Sequence, residues 1–364
     1  MTTKKQKKIK FFYAGGTIGM KAINGGALGP PDGDEDFKET CLPIVKNWQA
    51  NSDIEVDYEF ITSKDSMNMT PDDWQSILYR TYDAQEAGYD AVCIAHGTDT
   101  MVYAASALAF GFHDKDPSLT ALKIPVVLTG AQNPIYQFGG DGGFNLQNLF
   151  RKASSAIDLK VADVLINFGY DVLKGCRAIK VSERAFNAFE SPSEIGKVGF
   201  IDAFGVHLFP HRINIRDDSK TGTIQPRFSR GIVVVDLAPG TEPGLLENMI
   251  KGGGVMAMIL KSLGEGNVCI EGAYNMIPFI EAAVKKYRTP ILIASKYLGG
   301  AVGRAHYESG RAPLEAGAIA CYDTTDCAVE VKVRWLLGNG IASSIDDVRK
   351  AMAASYVGEV STGT

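Results

Sequence analysis

Short apolar runs that end abruptly in clusters of small and polar residues recur along this chain. Residues 91–95 (AVCIA) are the clearest, ending in His96-Gly97-Thr98-Asp99-Thr100. A run of that length is too short for a helix. It reads as a strand covered on both faces, as in a parallel sheet whose ligand site lies at the strands' carboxyl ends. Residues 101–112 are apolar nearly all round, which predicts a buried helix whose N-terminus adds backbone N–H donors to the junction. Residues 8–14 repeat the pattern near the start and end in Gly15-Gly16-Thr17-Ile18-Gly19. Taken singly, the 98–100 junction is well explained by helix capping, the usual task of Thr and Asp at such places. Two threonine-bearing turns at two parallel strand ends predict one shared cleft.

The pattern continues. Residues 54–61 alternate polar and apolar positions and read as a strand, followed by a polar loop over 62–69 that holds Asp65 and Ser66. Thr70-Pro71-Asp72-Asp73 then supplies an N-cap, a proline at the first helical position and an acid three residues after the cap. Trp74, Ile77, Leu78 and Tyr82 carry the helical spacing on to a stop at Gly88. A strand over 124–128 closes in Thr129-Gly130-Ala131-Gln132-Asn133-Pro134, glycines around Asp141 precede another helix, and 161–168 is a further strand. Residues 174–181 read as a short hairpin carrying Lys180 back toward the sheet. Residues 20–36, rich in glycine and with Pro30-Pro31, show neither period and read as a lid or surface loop beside the cleft.

Alternating strands and helices of this kind predict an α/β fold, with a larger N-terminal doubly wound domain built on a mainly parallel sheet. We assign residues 1–206 to that domain. The polar, proline-containing stretch 207–228 is a linker. Residues 229–364 form a smaller C-terminal α/β domain, with strands over 231–237, 255–260 and 290–295 and helical patterns over 244–251, 274–287 and 325–337.

Composition narrows the function classes. The 364 residues are 45% hydrophobic and 22% charged with a formal net charge of -5, an ordinary globular balance that argues against a nucleic-acid partner, which needs a basic face. No apolar run approaches the ~18 residues needed to cross a bilayer, and residues 11–14 are too short for a signal-peptide core. The six scattered cysteines read as free thiols in a cytoplasmic protein. His207 and His211 have metal-ligand spacing only on a helix, and Pro210 between them argues against one. The chain has no Gly-x-Ser-x-Gly elbow and no Ser-x-x-Lys, and the glycines around Thr17 lack dinucleotide or phosphate-loop spacing. Neither a nucleotide nor a metal site is therefore expected.

Gly15-Gly16-Thr17-Ile18-Gly19, His96-Gly97-Thr98-Asp99-Thr100 and Leu128-Thr129-Gly130-Ala131-Gln132 resemble the signature stretches of the bacterial L-asparaginase family, most closely its cytoplasmic type I branch. Asp65-Ser66 with Met69-Thr70-Pro71 and Trp74 extends the resemblance. So do Lys180 before Ala188-Phe189-Glu190-Ser191-Pro192, and Gly264-Glu265-Gly266-Asn267. The resemblance implies hydrolysis of L-asparagine to L-aspartate and ammonia with no cofactor, and room for some glutaminase activity on L-glutamine, which differs by one methylene. It implies Thr17 as nucleophile, Thr98, Asp99 and Lys180 as a polar relay, and backbone N–H groups near Gly16 and Thr98 as oxyanion donors. Asp65, Ser66, Gly97, Asp99 and Ala131 would line the substrate's place. The family also implies a homodimer or homotetramer, with Asn267 and Asp326 as contributors across an interface. The family's tyrosine in the loop after the first threonine has no counterpart between Ile18 and Asp57, where Ala27 or Leu28 falls near its place. Gly140 replaces the serine before Asp141-Gly142, and Lys296-Tyr297 replaces a Gln-Cys pair. Two other readings stay open on the residues alone, a catalytically weak or inactive amino-acid-binding relative and an amidotransferase subunit.

Overall fold

A computed structural model describes residues 6–361 apart from 24–26, 32, 51, 298, 304 and 305. Two compact units emerge, one of residues up to Phe112 with Leu119–Ile224, the other of His113–Ser118 with the chain from Gln225 onward.

In the first unit β1 (Lys7–Ala14) is followed by β2 (Lys21–Ala22), β3 (Leu28–Gly29), α1 (Asp34–Ala50), β4 (Ile54–Thr62) and α2 (Pro71–Glu86). Then come β5 (Ala91–His96), α3 (Met101–Gly111), β6 (Val126–Thr129), α4 (Gly142–Asp158), β7 (Val164–Phe168) and β8 (Asp171–Lys174). β9 (Ile179–Lys180), β10 (Phe189–Glu190), β11 (Lys197–Asp202) and β12 (Gly205–Leu208) complete it. Eight of these strands form one sheet in the order β12-β11-β8-β7-β6-β5-β1-β4. From β7 to β4 neighbouring strands run parallel, while β8, β11 and β12 add an antiparallel edge.

The chain winds from β1 to β4 on one side, then crosses to β5 and builds outward through β6 and β7. That reversal puts the topological switch point between β1 and β5, and a crevice opens there at the carboxyl ends. β5 alternates strictly, with Ala91, Cys93 and Ala95 in the core cluster that Phe37 of α1 and Phe150 of α4 complete. Every residue of β5 is buried, as expected of a strand covered on both faces.

Two expectations need correction. The stretch 20–36 is not featureless: β2 pairs with β3 as a small hairpin, and α1 begins at Asp34. Two-residue strands are too short to show alternation, and Asp34, Glu35 and Asp36 suit the positive end of a helix. The hairpin carrying Lys180 pairs β9 with β10, Lys180 opposite Phe189, instead of folding residues 174–181 on themselves. α1 also carries Pro43 in its interior, on the exposed side, and buries Phe37, Cys41 and Val45 at four-residue spacing.

Lys152 of α4 is fully buried and donates to the carbonyl oxygens of Asp171 (2.9 Å) and Gly169 (3.3 Å). Burial, aided by the Arg151 charge and opposed by Asp171, pushes its pKa down to about 7. Between that value and the ~10.4 of an unfolded lysine, the unfolded chain holds a proton that the folded one lacks, so this group makes stability rise with pH across the window. Lys152→Met is expected to remove a slope of about 1.4 kcal/mol per pH unit between pH 7 and 10, measured by denaturant unfolding at several pH values. An unchanged slope would show that Lys152 stays charged in the fold.

The second unit contains β13 (Ile232–Asp236), α5 (Pro243–Lys251), β14 (Ala257–Ser262), α6 (Ile277–Lys285), β15 (Ile291–Ser295), α7 (Glu308–Glu315), β16 (Ile319–Ala320), α8 (Asp326–Gly338) and α9 (Ile345–Ala353). Its sheet is parallel throughout, in the order β13-β14-β15-β16. A separate core of Met258, Leu260, Phe279, Ile280, Ile291 and Ile293 holds it together. Among the described residues no helix is long and apolar enough to cross a membrane.

Candidate active site

Glycines decide how closely the loops above β1, β5 and β6 approach. Gly15 and Gly16 take φ of 91° and 95°, a region that costs L-residues strain and glycine none. A side chain on Gly16 would meet the Cα and nitrogen of Gly97 at 2.5 Å, and one on Gly97 would meet the Ser66 Oγ at 2.6 Å. One on Gly130 would stand 3.0 Å from the Thr98 methyl. The turns carrying Thr17, Ser66, Thr98 and Ala131 are thereby in contact.

Thr17 opens a short 3-10 turn and is half-buried. Thr98 is buried and Asp99 exposed. Lys180 Nζ donates to Thr98 Oγ1 at 2.9 Å and to Asp99 Oδ1 at 2.5 Å. Residues separated by about eighty positions thus form one polar cluster at the end of β5. Ser66 is buried, with its carbonyl accepting from Thr100 Oγ1 at 2.8 Å. Asp65 is exposed and its carboxylate caps the next turn by accepting from the Met67 N–H. Gly97 and Ala131 are buried. His96, the last residue of β5, is fully buried. Burial holds its pKa below the ordinary imidazole value, opposed by the bond of Nδ1 to the Gly97 carbonyl and by Asp73.

Several supporting groups lie beyond what the motifs alone point to. Asp141 accepts from the N–H groups of Gln132 and Asn133, which shapes the loop above β6. Gln132 Nε2 donates to the carbonyls of Ser182 (3.3 Å) and Ala185 (3.2 Å), fastening the loop between β9 and β10 beside Lys180. Asn145 Nδ2 donates to the Gly130 carbonyl. The sequence signals for these groups are Gln132 in the third signature stretch and the glycine-flanked Asp141 ahead of a helix. Asn267 and Asp326 belong to the second unit. There Asp326 Oδ2 pairs with Lys261 Nζ at 2.7 Å, and among the described residues the buried Asn267 Oδ1 has no hydrogen-bond partner. His207 sits in β12 against Asp202, and among the described residues no group of His, Cys, Asp and Glu is placed to hold a metal.

The family described as "Asparaginase, N-terminal" matches residues 8–213, and the "Glutaminase/Asparaginase C-terminal domain" matches 231–352. The chain belongs to the asparaginase family. Similar relatives include L-asparaginase 1 of Escherichia coli, 30% identical over 361 residues that span 98% of both chains. A subunit of the glutamyl-tRNA(Gln) amidotransferase of Aeropyrum pernix is 29% identical over 98% of this chain and 80% of its own length. Among solved structures, the thermostable L-asparaginase from Thermococcus kodakarensis superposes with a TM-score of 0.83 at 25% identity, covering 98% of this chain and all of its own. L-asparaginase I from Vibrio cholerae gives 0.79 at 28%, covering 98% and 99%. The asparaginase fold of this chain thus places the Thr17 and Thr98 turns on the two strands that flank the switch point.

Proposed function

We propose that this member of the asparaginase family hydrolyses the side-chain amide of L-asparagine to L-aspartate and ammonia, with L-glutamine as a weaker substrate. The carrying observation is Lys180 Nζ bonded to both Thr98 and Asp99 where the Thr17 turn meets Gly97. Thr17 Oγ attacks the amide carbon, and its proton leaves toward the relay. The tetrahedral oxyanion takes N–H groups of the Gly16–Thr17 and Thr98 turns, a contribution of about 3 kcal/mol per donor. Collapse, with the proton taken from Thr17 handed on to the leaving nitrogen, releases ammonia and leaves an ester on Thr17. Water, held by the Thr98–Lys180 cluster, then attacks the ester carbonyl, and as the ester C–O bond breaks the water's proton is delivered to Thr17 Oγ, giving aspartate and the free Thr17 hydroxyl. Asp65, Ser66 and Asp99 hold the substrate's amino and carboxylate groups.

We infer a homodimer or homotetramer, supported by the family resemblance and by an Asn267 Oδ1 that has no hydrogen-bond partner among the described residues, with Asn267 and Asp326 reaching a neighbour's site. Four of the six cysteines are buried as thiols, which supports a cytoplasmic setting. The test is ammonia release by purified protein with each amide. Asparagine is expected to exceed glutamine in kcat/KM by about tenfold or more, the discrimination one methylene allows. Binding without ammonia release would make the chain an amino-acid-binding relative. Release that needs a glutamyl-tRNA would make it an amidotransferase subunit.

A further inference from the structure

Tyr13 of β1 lies four positions before Thr17 and is wholly buried. Its ring stacks on Phe37 with centroids 4.1 Å apart and leans on Phe60 at 5.4 Å, so it has one place to point its hydroxyl. That hydroxyl is 3.3 Å from the Gly16 carbonyl oxygen, a long bond in which the phenol is the donor. Gly19 makes room for it, since a side chain at Gly19 would stand 2.6 Å from the hydroxyl. The same carbonyl also accepts from the Gly19 N–H at 3.2 Å. In a trans peptide the C=O and N–H point in opposite directions. A Gly16 carbonyl drawn to Tyr13 and Gly19 therefore turns the Thr17 N–H the other way.

We propose that Tyr13 is a positioning residue for Thr17: its hydroxyl fixes the Gly16–Thr17 peptide, and with it the amide and hydroxyl that Thr17 presents to the substrate carbonyl. The inference rests on Thr17 being the nucleophile. Tyr13 does not stand in for the tyrosine missing near Ala27. Burial, with a smaller contribution from Cys41, raises its pKa far above the ordinary phenol value. It keeps its proton, and its bond is to the backbone.

Tyr13→Phe keeps the ring and removes only the donor. The expected result is a fall in kcat for asparagine of about ten- to a hundredfold, the cost of loosening a nucleophile's placement. KM stays within about twofold, because substrate binding draws on other groups. Aspartate affinity and the unfolding midpoint should also remain close to wild type. A purely structural role would instead lower the midpoint and leave the kcat of the folded enzyme intact. Wild-type kcat in the folded variant, or a parallel change in kcat and aspartate affinity, overturns the proposal. Thr17→Ala run alongside separates the two levels. If it is inactive while Tyr13→Phe turns over normally, only the Tyr13 inference fails. If Thr17→Ala stays active, the nucleophile reading fails and takes this inference with it.

Discussion

Thr98→Val is expected to lower kcat for asparagine about a thousandfold, within the range general acid–base groups supply, while the protein stays folded. Valine keeps the methyl that packs against Gly130 and removes only the hydroxyl that Lys180 Nζ reaches at 2.9 Å. Lys180→Met should cost about as much as Thr98→Val, and the double variant scarcely more than either, because groups that pass one proton along act as a unit. Steady-state ammonia release on the three variants completes a double-mutant cycle. Losses that add would assign Lys180 a separate electrostatic role. Near wild-type activity in Thr98→Val would remove the relay altogether.

The second large effect is on stability and lies in the other unit. Lys332 of α8 and Glu359 are both fully buried, Nζ to Oε1 at 2.6 Å. Lys332 also donates to the Ala354 carbonyl at 2.6 Å, and Glu359 accepts from the N–H groups of Tyr356 and Val357. Burial acts to raise the Glu359 pKa, but the Lys332 charge and the N–H donors outweigh it and hold the carboxyl below its ordinary value. This group therefore stabilises the fold above the ordinary glutamate pKa, and its contribution is lost as pH falls through the lower folded value. Lys332→Met leaves a carboxylate buried without its cation and should destabilise by about 3 to 5 kcal/mol. Adding Glu359→Leu should restore most of that loss, because an apolar pair of similar size is close to neutral there. Equilibrium unfolding in urea measures both. A single variant as stable as wild type would show the pair to be dispensable.

Most of the fold is legible in local pattern because its signals are local. β5 shows itself by length and by burial on both faces, and α2 by the Thr70 cap, where the Thr70 side chain accepts from the Asp73 N–H. α1 is hidden in the sequence because Pro43 argues against a helix interior, although on the solvent side its ring displaces no packing. The antiparallel edge of β8, β11 and β12 is equally hidden, since pairing direction is a property of two strands and not of either sequence.

By itself the sequence determined the strand ends, the glycine turns and the residue types gathered at them, because run length, side-chain period and glycine's freedom at positive φ act within a few residues. Asparaginase membership was legible for the same reason, since its motifs are short contiguous stretches. Only the tertiary structure decided that β1 and β5 are neighbours at the switch point, which brings the turns of Thr17 and Thr98 into contact. The same holds for Lys180, which comes from a two-residue strand paired with Phe189 and reaches Thr98 from 82 positions away. Tyr13 beneath Gly16 and the buried Lys332–Glu359 pair belong to this class too. Their partners are selected by packing, through which side chains a core leaves room for and which polar groups it must satisfy.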